Sequence, residues 1–374
     1  MWAAQHIDPA RIALRRAFGS LTNAVFFVSY PPTPSVPTVL LRIYGTSSDS
    51  LVSRPRELQT LHILSRYHIG PRIYGTFSNG RVEEYFDSVT LCPSDLRDEK
   101  ISRWIAARMA ELHSVDIAAV EGPLAARNLD WDIGVKKNVR TWLSLAREVL
   151  AHPDMDDGDR AVLDLDAFLV AWSRYLRWLS HVERVEGPSP RVFAHNDMQH
   201  RNLLRRTCML PDGAPEHHQV CVYPASARSS PMRSKLVVVD FEYASPNPLA
   251  LDIANHFHEW TADYRSSTPH LLDYARYPTA HQRRHFYQAY LSQAYTLSKT
   301  PAAEVANEAQ VTMLERQVST WSPASHGMWA IWGIVQAKDN LERDCMGTDM
   351  VFDYIGYAKC RMGKFFREIA GLGV

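Results

Sequence analysis

The stretch that decides the fold is VFAHNDMQHRNLL, residues 192–204. It begins with β-branched and aromatic residues typical of a buried strand and continues with the polar residues His195, Asn196 and Asp197. Short polar residues after an apolar run usually mark a turn. A turn alone does not require Asn202 five residues after Asp197, so the spacing indicates that these two side chains share a function.

Length and composition predict a globular protein with two lobes. The chain has 374 residues, which exceeds the size at which a single hydrophobic core usually stops growing. Lys plus Arg (41) equal Asp plus Glu (41), so no overall charge attracts nucleic acid or an anionic membrane. We therefore expect a small-molecule substrate that is recognised locally, and no nucleic-acid partner.

The cysteines and the N-terminal sequence predict a cytoplasmic protein. Five cysteines are scattered along the chain without a C-x-x-C pair, which argues against a disulfide framework or a zinc site. The N-terminal residues lack the apolar core of a signal peptide. No segment is long and apolar enough to predict integral membrane association.

The residue patterns predict an α+β fold with a small β-rich N-lobe, residues 1–87, and a larger, mainly helical C-lobe, residues 88–374. In the N-lobe, strand-like runs such as AVFFVSY and TVLLRIYG surround one helical segment, RPRELQTLHILSRY. Apolar residues at helical spacing predict further helices from residue 101 onwards and over 136–151, 158–183, 280–298, 305–318 and 326–343. RVFAHND and KLVVVDFEYA are the strand candidates of the C-lobe, separated by a surface insertion over 206–235 with a short possible strand at HQVCVY.

The Asp-x-x-x-x-Asn spacing at Asp197 and Asn202 resembles the catalytic loop of protein kinases, in which the aspartate accepts a hydroxyl proton and the asparagine holds magnesium. Asp240 ends the apolar run LVVVD, where that fold keeps a metal-binding aspartate. Glu242 lies two residues on, so in a strand it would face the same side. Magnesium prefers such hard oxygen ligands. The alternative is that Asp240 is an ordinary turn residue.

Two further N-lobe features match a nucleotide site. Arg42 in a predicted strand and Glu57 on the next helix resemble the cation–carboxylate pair of kinases. Ser20, Thr22 and Asn23, in the connection GSLTN, could close over phosphate groups with hydroxyl and backbone N–H groups. Arg42 as a surface strand residue is the simpler alternative. Phosphoryl transfer is favoured by the order of these groups along the chain. The cation Arg42 comes first, followed by the helix carboxylate Glu57, the Asp-x-x-x-x-Asn motif and the strand-borne Asp240.

The combination of AHNDMQHRNLL with LVVVDFEYASPNPLALDIANHFHEW resembles the choline/ethanolamine kinase family, and its fungal members in particular. GSLTNAVFFV, VLLRIYG and HGMWAIWGIVQA extend the resemblance over about residues 19–366. It implies a bilobal protein-kinase-like fold. It also implies a choline kinase that uses ATP and Mg²⁺ to phosphorylate the choline hydroxyl, the first step of the CDP-choline route to phosphatidylcholine. A homodimer is a further expectation.

The resemblance also implies roles for single residues. By motif, Asp197 would be the catalytic base, and Asn202 and Asp240 would bind Mg²⁺. Gln199 and Glu242 fall where family members have further polar residues near the substrate. The segment that holds adenine would be Glu84, Tyr85 and Phe86 in GRVEEYF.

The substrate pocket can be approached from the chemistry of a quaternary ammonium group, which is recognised by aromatic faces and nearby carboxylates. Trp329 and Trp332 are three residues apart on a predicted helix and therefore share a face, although core packing is the commoner role of tryptophan. The family resemblance assigns them to a choline cage. It adds Tyr264, Tyr357 and, as the countercharge, Glu259.

Rival functions differ in the sequence features they need. Ethanolamine kinase, or a kinase of both amino alcohols, would use the same catalytic residues, and the three aromatic residues Trp329, Trp332 and Tyr357 favour choline. Thr261 and Ala262 stand where the family commonly has an aromatic residue, which predicts a looser pocket wall or another preferred amine. An aminoglycoside phosphotransferase would lack ANHFHEW. An inactive kinase-like binding protein would lack one of the catalytic residues, all of which are present.

Overall fold

The computed structural model describes residues 2, 6–17, 23–45, 51, 53–122, 133–207, 236–298, 307–342 and 352–374. The chain divides into two compact units. The first contains Met1–Thr90 and Asn202–Tyr243, and the second contains Leu91–Arg201 and Ala244–Val374.

The first unit is built on an antiparallel five-stranded sheet with the order β1-β2-β3-β5-β4. Its strands are β1 (Ala13–Ala17), β2 (Asn23–Ser29), β3 (Val39–Tyr44), β4 (Ile73–Phe77) and β5 (Gly80–Glu84). Helix α1 (Arg54–Arg66) follows β3 and contacts β4. The predicted β-rich N-terminal part is confirmed, and α1 is the only α-helix among its described residues. The pairing of β3 with β5 sets Arg42 opposite Arg81, so two guanidinium groups are cross-strand neighbours.

A second, three-stranded sheet of this unit joins residues that are far apart in sequence. Strand β8 (Leu203–Arg206) pairs with β6 (Ser88–Thr90) on one side and with β9 (Leu236–Val238) on the other. This pairing explains why Asn202–Tyr243 groups with the N-terminal residues, whereas the predicted domains assign it to the C-lobe. A compact unit is not an independently folding domain, so the predicted boundary at residue 87 remains a prediction.

The second unit is mainly helical. Its helices are α2 (Glu99–His113), α3 (Ile117–Glu121), α4 (Gly134–Leu150), α5 (Asp157–Val162), α6 (Leu165–Glu186), α7 (Leu249–Glu259), α8 (Ala280–Ser298), α9 (Glu308–Gln336), α10 (Lys338–Glu342) and α11 (Tyr354–Gly371). Helix α9 is central, because it packs against α4, α7 and α11. Every residue of α9 from Trp321 to Gln336 is buried. The predicted helical C-terminal part is confirmed.

Three helix predictions are wrong in their boundaries. The helices predicted over 305–318 and 326–343 are one 29-residue helix, α9, followed by the short α10. Since the second half of α9 is buried all round, it has no amphipathic period from which its continuity could be read. The helix predicted over 158–183 is two helices, because Asp164 caps α6 by accepting the backbone N–H groups of Asp166 and Ala167.

Helices α7 and α11 are absent from the predicted set. All eleven residues of α7 are buried, so the alternation that reveals surface helices does not occur there. The predicted strands around the polar motif are confirmed: β7 (Arg191–Ala194) pairs antiparallel with β10 (Ser245–Pro248), and β9 lies in KLVVVDFEYA. These elements place the polar residues at strand ends.

Several predictions fall outside the described residues. They are the strand at HQVCVY, nearly all of the insertion over 206–235, and the phosphate-contacting Ser20 and Thr22. Asn23 is described only through its backbone, as the first residue of β2. Among the described helices, none is long and apolar enough to cross a membrane.

Candidate active site

The loop after β7 is fixed to helix α7 through its backbone. Asn196 has a φ of 66°, a left-handed conformation that few non-glycine residues adopt without support. The carboxylate of Asp252 on α7 supplies that support, because it accepts the N–H groups of His195 (2.9 Å) and Asn196 (2.7 Å). The same carboxylate also accepts a hydrogen bond from Nε2 of His113 (2.9 Å). The chain conformation directly before Asp197 is therefore determined by a buried acid.

Further contacts hold the rest of the loop. Asn255 Nδ2 donates to the carbonyl of Asn196 (2.9 Å), and His256 Nδ1 bonds the carbonyl of Met198 (2.8 Å). The side chain of Asn196 donates to Ser245 Oγ (2.8 Å) and accepts from Asn247 Nδ2 (2.7 Å) on β10. Asn196 therefore shapes the loop through its backbone and its side chain.

Sequence reasoning missed the α7 residues that bind this loop: Asp252, Asn255 and His256. They lie three and four residues apart on one helical face, so they reach the same segment of chain. The signal was available, because these polar residues interrupt the otherwise apolar LALDIANHF at helical spacing.

Asp197 itself is held by its neighbours in the loop. Gln199 Nε2 donates to the Asp197 carboxylate at 3.1 Å, and the backbone N–H of Asp197 donates to His195 Nδ1 at 3.2 Å. The charge of Asp197 also raises the pKa of Tyr264 and Tyr357, although burial is the larger cause for both hydroxyls. His200, three residues along the same loop, stacks on Tyr264 with ring centres 5.7 Å apart, so the loop lies against this tyrosine.

These two tyrosines belong to a connected cluster of aromatic side chains, most of them from α9 and α11. Trp329 and Trp332 meet edge to face with ring centres 5.2 Å apart, and Trp332 meets Tyr357 in the same way at 5.9 Å. Phe352 links Tyr357 (5.9 Å) to Tyr264 (6.5 Å). The structure thus brings together all four aromatic residues that the sequence proposed for the amine pocket, and adds Phe352.

Glu259, the predicted countercharge, is buried and already paired. Its Oε1 lies 2.9 Å from Nη2 of Arg361, and its Oε2 accepts the hydroxyl proton of Tyr264 at 2.8 Å. Nε of Arg361 also donates to the hydroxyl of Tyr357 (3.0 Å). The ion pair leaves this group close to neutral overall, so the aromatic faces are the main attraction for a cation here.

In the first unit, charged side chains from β3, β5 and α1 form an alternating network. Arg81 contacts Glu57 (2.8 Å) and Glu83 (2.7 Å). Arg42 contacts Glu83 (3.4 Å) and Asp240 (3.2 Å). The predicted direct pairing of Arg42 with Glu57 is therefore corrected, because Arg81 is the strand cation that binds Glu57. Arg81 is the cross-strand neighbour of Arg42, and this proximity depends on sheet register that the sequence did not reveal.

The carboxylates of Asp240 and Glu242 lie close to that of Glu57, but Asp240 and Glu242 are not in a β-strand as predicted. Strand β9 ends at Val238, and Asp240 has a left-handed φ of 68°, so same-side alternation was the wrong reason. One carboxylate oxygen from each of the three residues lies within 4.8 Å of the others. Burial, followed by the charges of Asp240 and Glu57, raises the pKa of Glu242 to about 7.

This cluster fits a divalent cation. Arg54 contacts Glu57 (2.9 Å) and Glu242 (3.2 Å), so three guanidinium groups in the network face four carboxylates. The carboxylates therefore outnumber the guanidinium groups by one. Carboxylate oxygens are the ligands that Mg²⁺ prefers. Asn202, buried directly before β8, is anchored through its carbonyl, which accepts the N–H of Val239 at 3.0 Å.

The predicted adenine-binding segment follows β5. Glu84 is the last residue of that strand, and its carboxylate accepts the backbone N–H of Arg72 at 3.2 Å. Tyr85 meets Phe27 edge to face at 5.6 Å, and Phe86 lies under the guanidinium of Arg206 at 5.0 Å. Their role towards a nucleotide remains a prediction.

A second group of metal-type ligands, His258, His326 and Glu368, does not fit a metal ion. Arg361 Nη1 lies 3.3 Å from His326 Nδ1, and an arginine can only donate. Burial lowers the pKa of His326 well below its usual range, so the ring is neutral and its single proton is on Nε2. That nitrogen is the atom grouped with Glu368, and a protonated nitrogen cannot bind a metal.

Comparison with known proteins gives consistent matches. Residues 14–366 match the family described as Choline/ethanolamine kinase. The choline kinase of Schizosaccharomyces pombe is 32% identical, and the match covers 97% of this chain and 84% of that protein. The choline kinase of Saccharomyces cerevisiae is 30% identical, and the match covers 95% of this chain and 70% of that protein. The crystal structure of choline kinase from Cryptosporidium parvum superimposes with a TM-score of 0.72 at 23% identity, covering 98% of this chain and 91% of that one. The predicted protein-kinase-like fold class is confirmed.

Proposed function

Because the chain belongs to the choline/ethanolamine kinase family, as its motifs predicted, we propose that it transfers the γ-phosphoryl group of ATP to the hydroxyl group of choline. The products are phosphocholine and ADP. The chain is an ATP-dependent phosphotransferase that acts on an alcohol group. Its choice of amino alcohol, its metal and the role of each residue are parts of the proposal.

The observation that carries the proposal is the position of Asp197 beside the aromatic cluster. Its loop is fixed by Asp252 of α7, and His200 of the same loop stacks on Tyr264 with ring centres 5.7 Å apart. A choline molecule bound through its trimethylammonium group to aromatic faces has its hydroxyl only two carbon atoms away. A carboxylate next to the cage is therefore suited to accept the hydroxyl proton.

The proposed reaction follows from this placement. The proton of the choline hydroxyl passes to a carboxylate oxygen of Asp197, which Gln199 holds in orientation at 3.1 Å. The hydroxyl oxygen bonds to the γ-phosphorus while the bond between that phosphorus and the ADP oxygen breaks. Positioning and electrostatic stabilisation account for most of the catalysis in such transfers.

In the proposed nucleotide and metal site, Asn202 and Asp240 hold Mg²⁺. Bound there, Mg²⁺ would supply neutralising charge for the phosphate oxygens. Arg42 points its Nη1 at Asp240 (3.2 Å), so it orients this ligand as well as contributing positive charge near the phosphates. Arg81 and Glu83 in turn fix Arg42, because Glu83 bonds both guanidinium groups.

The pocket favours choline over ethanolamine. A primary ammonium group needs hydrogen-bond acceptors, whereas a quaternary one cannot donate ordinary hydrogen bonds. Both carboxylate oxygens of Glu259 are already bonded, to Arg361 and to Tyr264. Trp329, Trp332 and Tyr357 supply aromatic surface instead.

The test is an ADP-release assay with Mg-ATP and either choline, ethanolamine or an aminoglycoside. We expect turnover of choline with a higher kcat/KM than ethanolamine, and none of the aminoglycoside. EDTA should abolish the activity. The D197N variant, purified in the same way, controls for a contaminating kinase. Absence of turnover with both amino alcohols would refute the proposed function.

Three expectations from the sequence remain proposals. They are a homodimer, a cytoplasmic location and Mg²⁺ as the metal. Titration of activity with Mg²⁺ and a measurement of molecular mass in solution test the metal and the homodimer directly.

A further inference from the structure

Asn255, in the middle of α7, is bonded to two parts of the proposed substrate site at once. The residue is 2% exposed. Its Nδ2 donates to the carbonyl of Asn196 at 2.9 Å, and its Oδ1 accepts from Trp329 Nε1 at 2.7 Å and from Ser325 Oγ at 2.8 Å. One planar amide therefore contacts both the catalytic loop and the aromatic cluster.

The bond to the loop controls the peptide that carries Asp197. The carbonyl of Asn196 and the N–H of Asp197 belong to the same peptide group, which is planar. Asn255 holds one edge of that plane, and His195 Nδ1, which accepts the Asp197 N–H at 3.2 Å, holds the other. Because Asn196 is left-handed, rotation of this plane would redirect the Asp197 side chain.

The bond to the cluster controls the direction of an indole ring. Trp329 is 5% exposed and meets Trp332 edge to face at 5.2 Å. A T-shaped aromatic pair does not by itself fix which ring edge points inward. The hydrogen bond from the indole nitrogen to Asn255 fixes which edge of the Trp329 ring points inward. It therefore also fixes which ring face Trp329 presents to Trp332 and to a bound cation.

We propose that Asn255 is a positioning residue that couples the orientation of Asp197 to the orientation of the Trp329 ring. The planar amide transmits any displacement of one bonded group to the other. The hydroxyl and the ammonium group of one small substrate are thereby recognised at a fixed separation. The proposal rests on the proposed function, since it assigns the amine to the aromatic cluster and the hydroxyl to Asp197.

Two substitutions separate the two bonds. N255D keeps an oxygen that accepts from Trp329 but replaces the donor to the Asn196 carbonyl with an oxygen, which repels that carbonyl. W329F keeps an aromatic ring but removes the donor to Asn255. D166A, at an exposed carboxylate of α6 that pairs with Arg147, is the control, because it touches neither Asn255 nor the groups that Asn255 bonds.

For N255D we expect kcat to fall by about 10- to 100-fold with an unchanged KM for ATP, because a small misplacement of the base is costly. For W329F we expect the KM for choline to rise and kcat to fall at least about threefold, because Asn255 loses one of its restraints. If Trp329 were only a pocket wall, the KM alone would change. D166A should keep both kinetic constants within about twofold.

The double variant N255D/W329F completes the test. Coupling through Asn255 predicts that the double variant loses less activity than the product of the two single losses. KM values do not depend on the amount of folded enzyme, so a merely destabilising N255D would lower apparent kcat only in proportion to the folded fraction measured by circular dichroism. That result, or an unchanged kcat in W329F, would overturn the proposal. Wild-type enzyme inactive on choline and ethanolamine would instead refute the proposed function, before any variant is compared.

Discussion

The two compact units fix their functional side chains in opposite ways. In the first unit, Arg42 and Arg81 are fixed by ion pairs with carboxylates. In the second unit, the loop of Asp197 is held mainly by hydrogen bonds from α7, and the proposed amine pocket consists of rings around a single buried ion pair. The first arrangement suits phosphates and a metal, and the second suits a cation without hydrogen-bond donors.

The difference follows from secondary structure. Antiparallel register places Arg42 and Arg81 side by side, so the sheet needs carboxylates between them to avoid repulsion. A helix places side chains three and four residues apart on one face, so α7 can direct Asp252, Asn255 and His256 to a single loop. Substitutions in each unit should therefore change different kinetic constants.

The largest expected effect is at Asp197. D197A should lower kcat by about 100- to 10,000-fold, because the choline hydroxyl loses its proton acceptor, while the KM for ATP stays near normal. Steady-state kinetics and circular dichroism measure activity and fold together. D166A, at an exposed carboxylate paired with Arg147, is the control and should keep full activity. Near-normal turnover of D197A would contradict the assigned role.

Asp240 should produce the next largest effect, and one of a different kind. D240N removes a charged metal ligand, so we expect kcat to fall by about 100- to 1,000-fold and the Mg²⁺ concentration for half-maximal activity to rise. The choline KM should change little, because the amine pocket belongs to the other unit. E308Q, at an exposed carboxylate bonded to Arg284, is the control. An unchanged Mg²⁺ requirement would argue against Asp240 as a ligand.

His256 predicts an acid-sensitive second unit. Burial lowers its pKa from 6.5 to about 4, although the Met198 carbonyl and Asp252 act in the opposite direction. The unfolded chain therefore binds a proton at higher pH than the folded chain, and stability is lost as the pH falls from about 6.5 to about 4. The loss from this group amounts to at most about 3 kcal/mol.

Urea unfolding of wild type and H256Q at several pH values measures that contribution. Gln can still donate to the Met198 carbonyl but cannot take up a proton, so its unfolding free energy should fall less steeply with acid. H281Q, at an exposed histidine, should follow the wild type. If the unfolding free energies of wild type and H256Q fell in parallel with pH, His256 would not be the source of the acid sensitivity.

Trp332 should give the smallest of these effects, confined to amine binding. One aromatic face contributes about 0.5–2 kcal/mol to cation binding, so W332A should raise the choline KM by about 2- to 30-fold and leave the ATP KM unchanged. W178A, at a tryptophan stacked on Tyr175 of α6, controls for the loss of a large side chain. Equal changes in the KM values for choline and ATP would contradict the assignment of amine binding to the second unit and ATP binding to the first.

The sequence proposes candidate functional residues more readily than it predicts their partners. Asp197, Asn202 and Asp240 are proposed from a spacing along one chain, which does not depend on packing. Arg42 was paired with the wrong partner, since Arg81 becomes its neighbour only through strand register. Helix α7 was missed because it has no side that faces solvent, and its polar residues Asp252, Asn255 and His256 bond the loop instead of marking an exposed face.

The sequence by itself determined the family, the reaction class and the aromatic residues proposed for the amine, because these follow from residue types at fixed separations along the chain. Only the tertiary structure decided which charges neutralise one another and what holds the loop of Asp197. Glu259 pairs with Arg361 across 102 residues, and Asn255 reaches Trp329 across 74. Such contacts depend on where helices and strands pack, and no local pattern in the sequence encodes that placement.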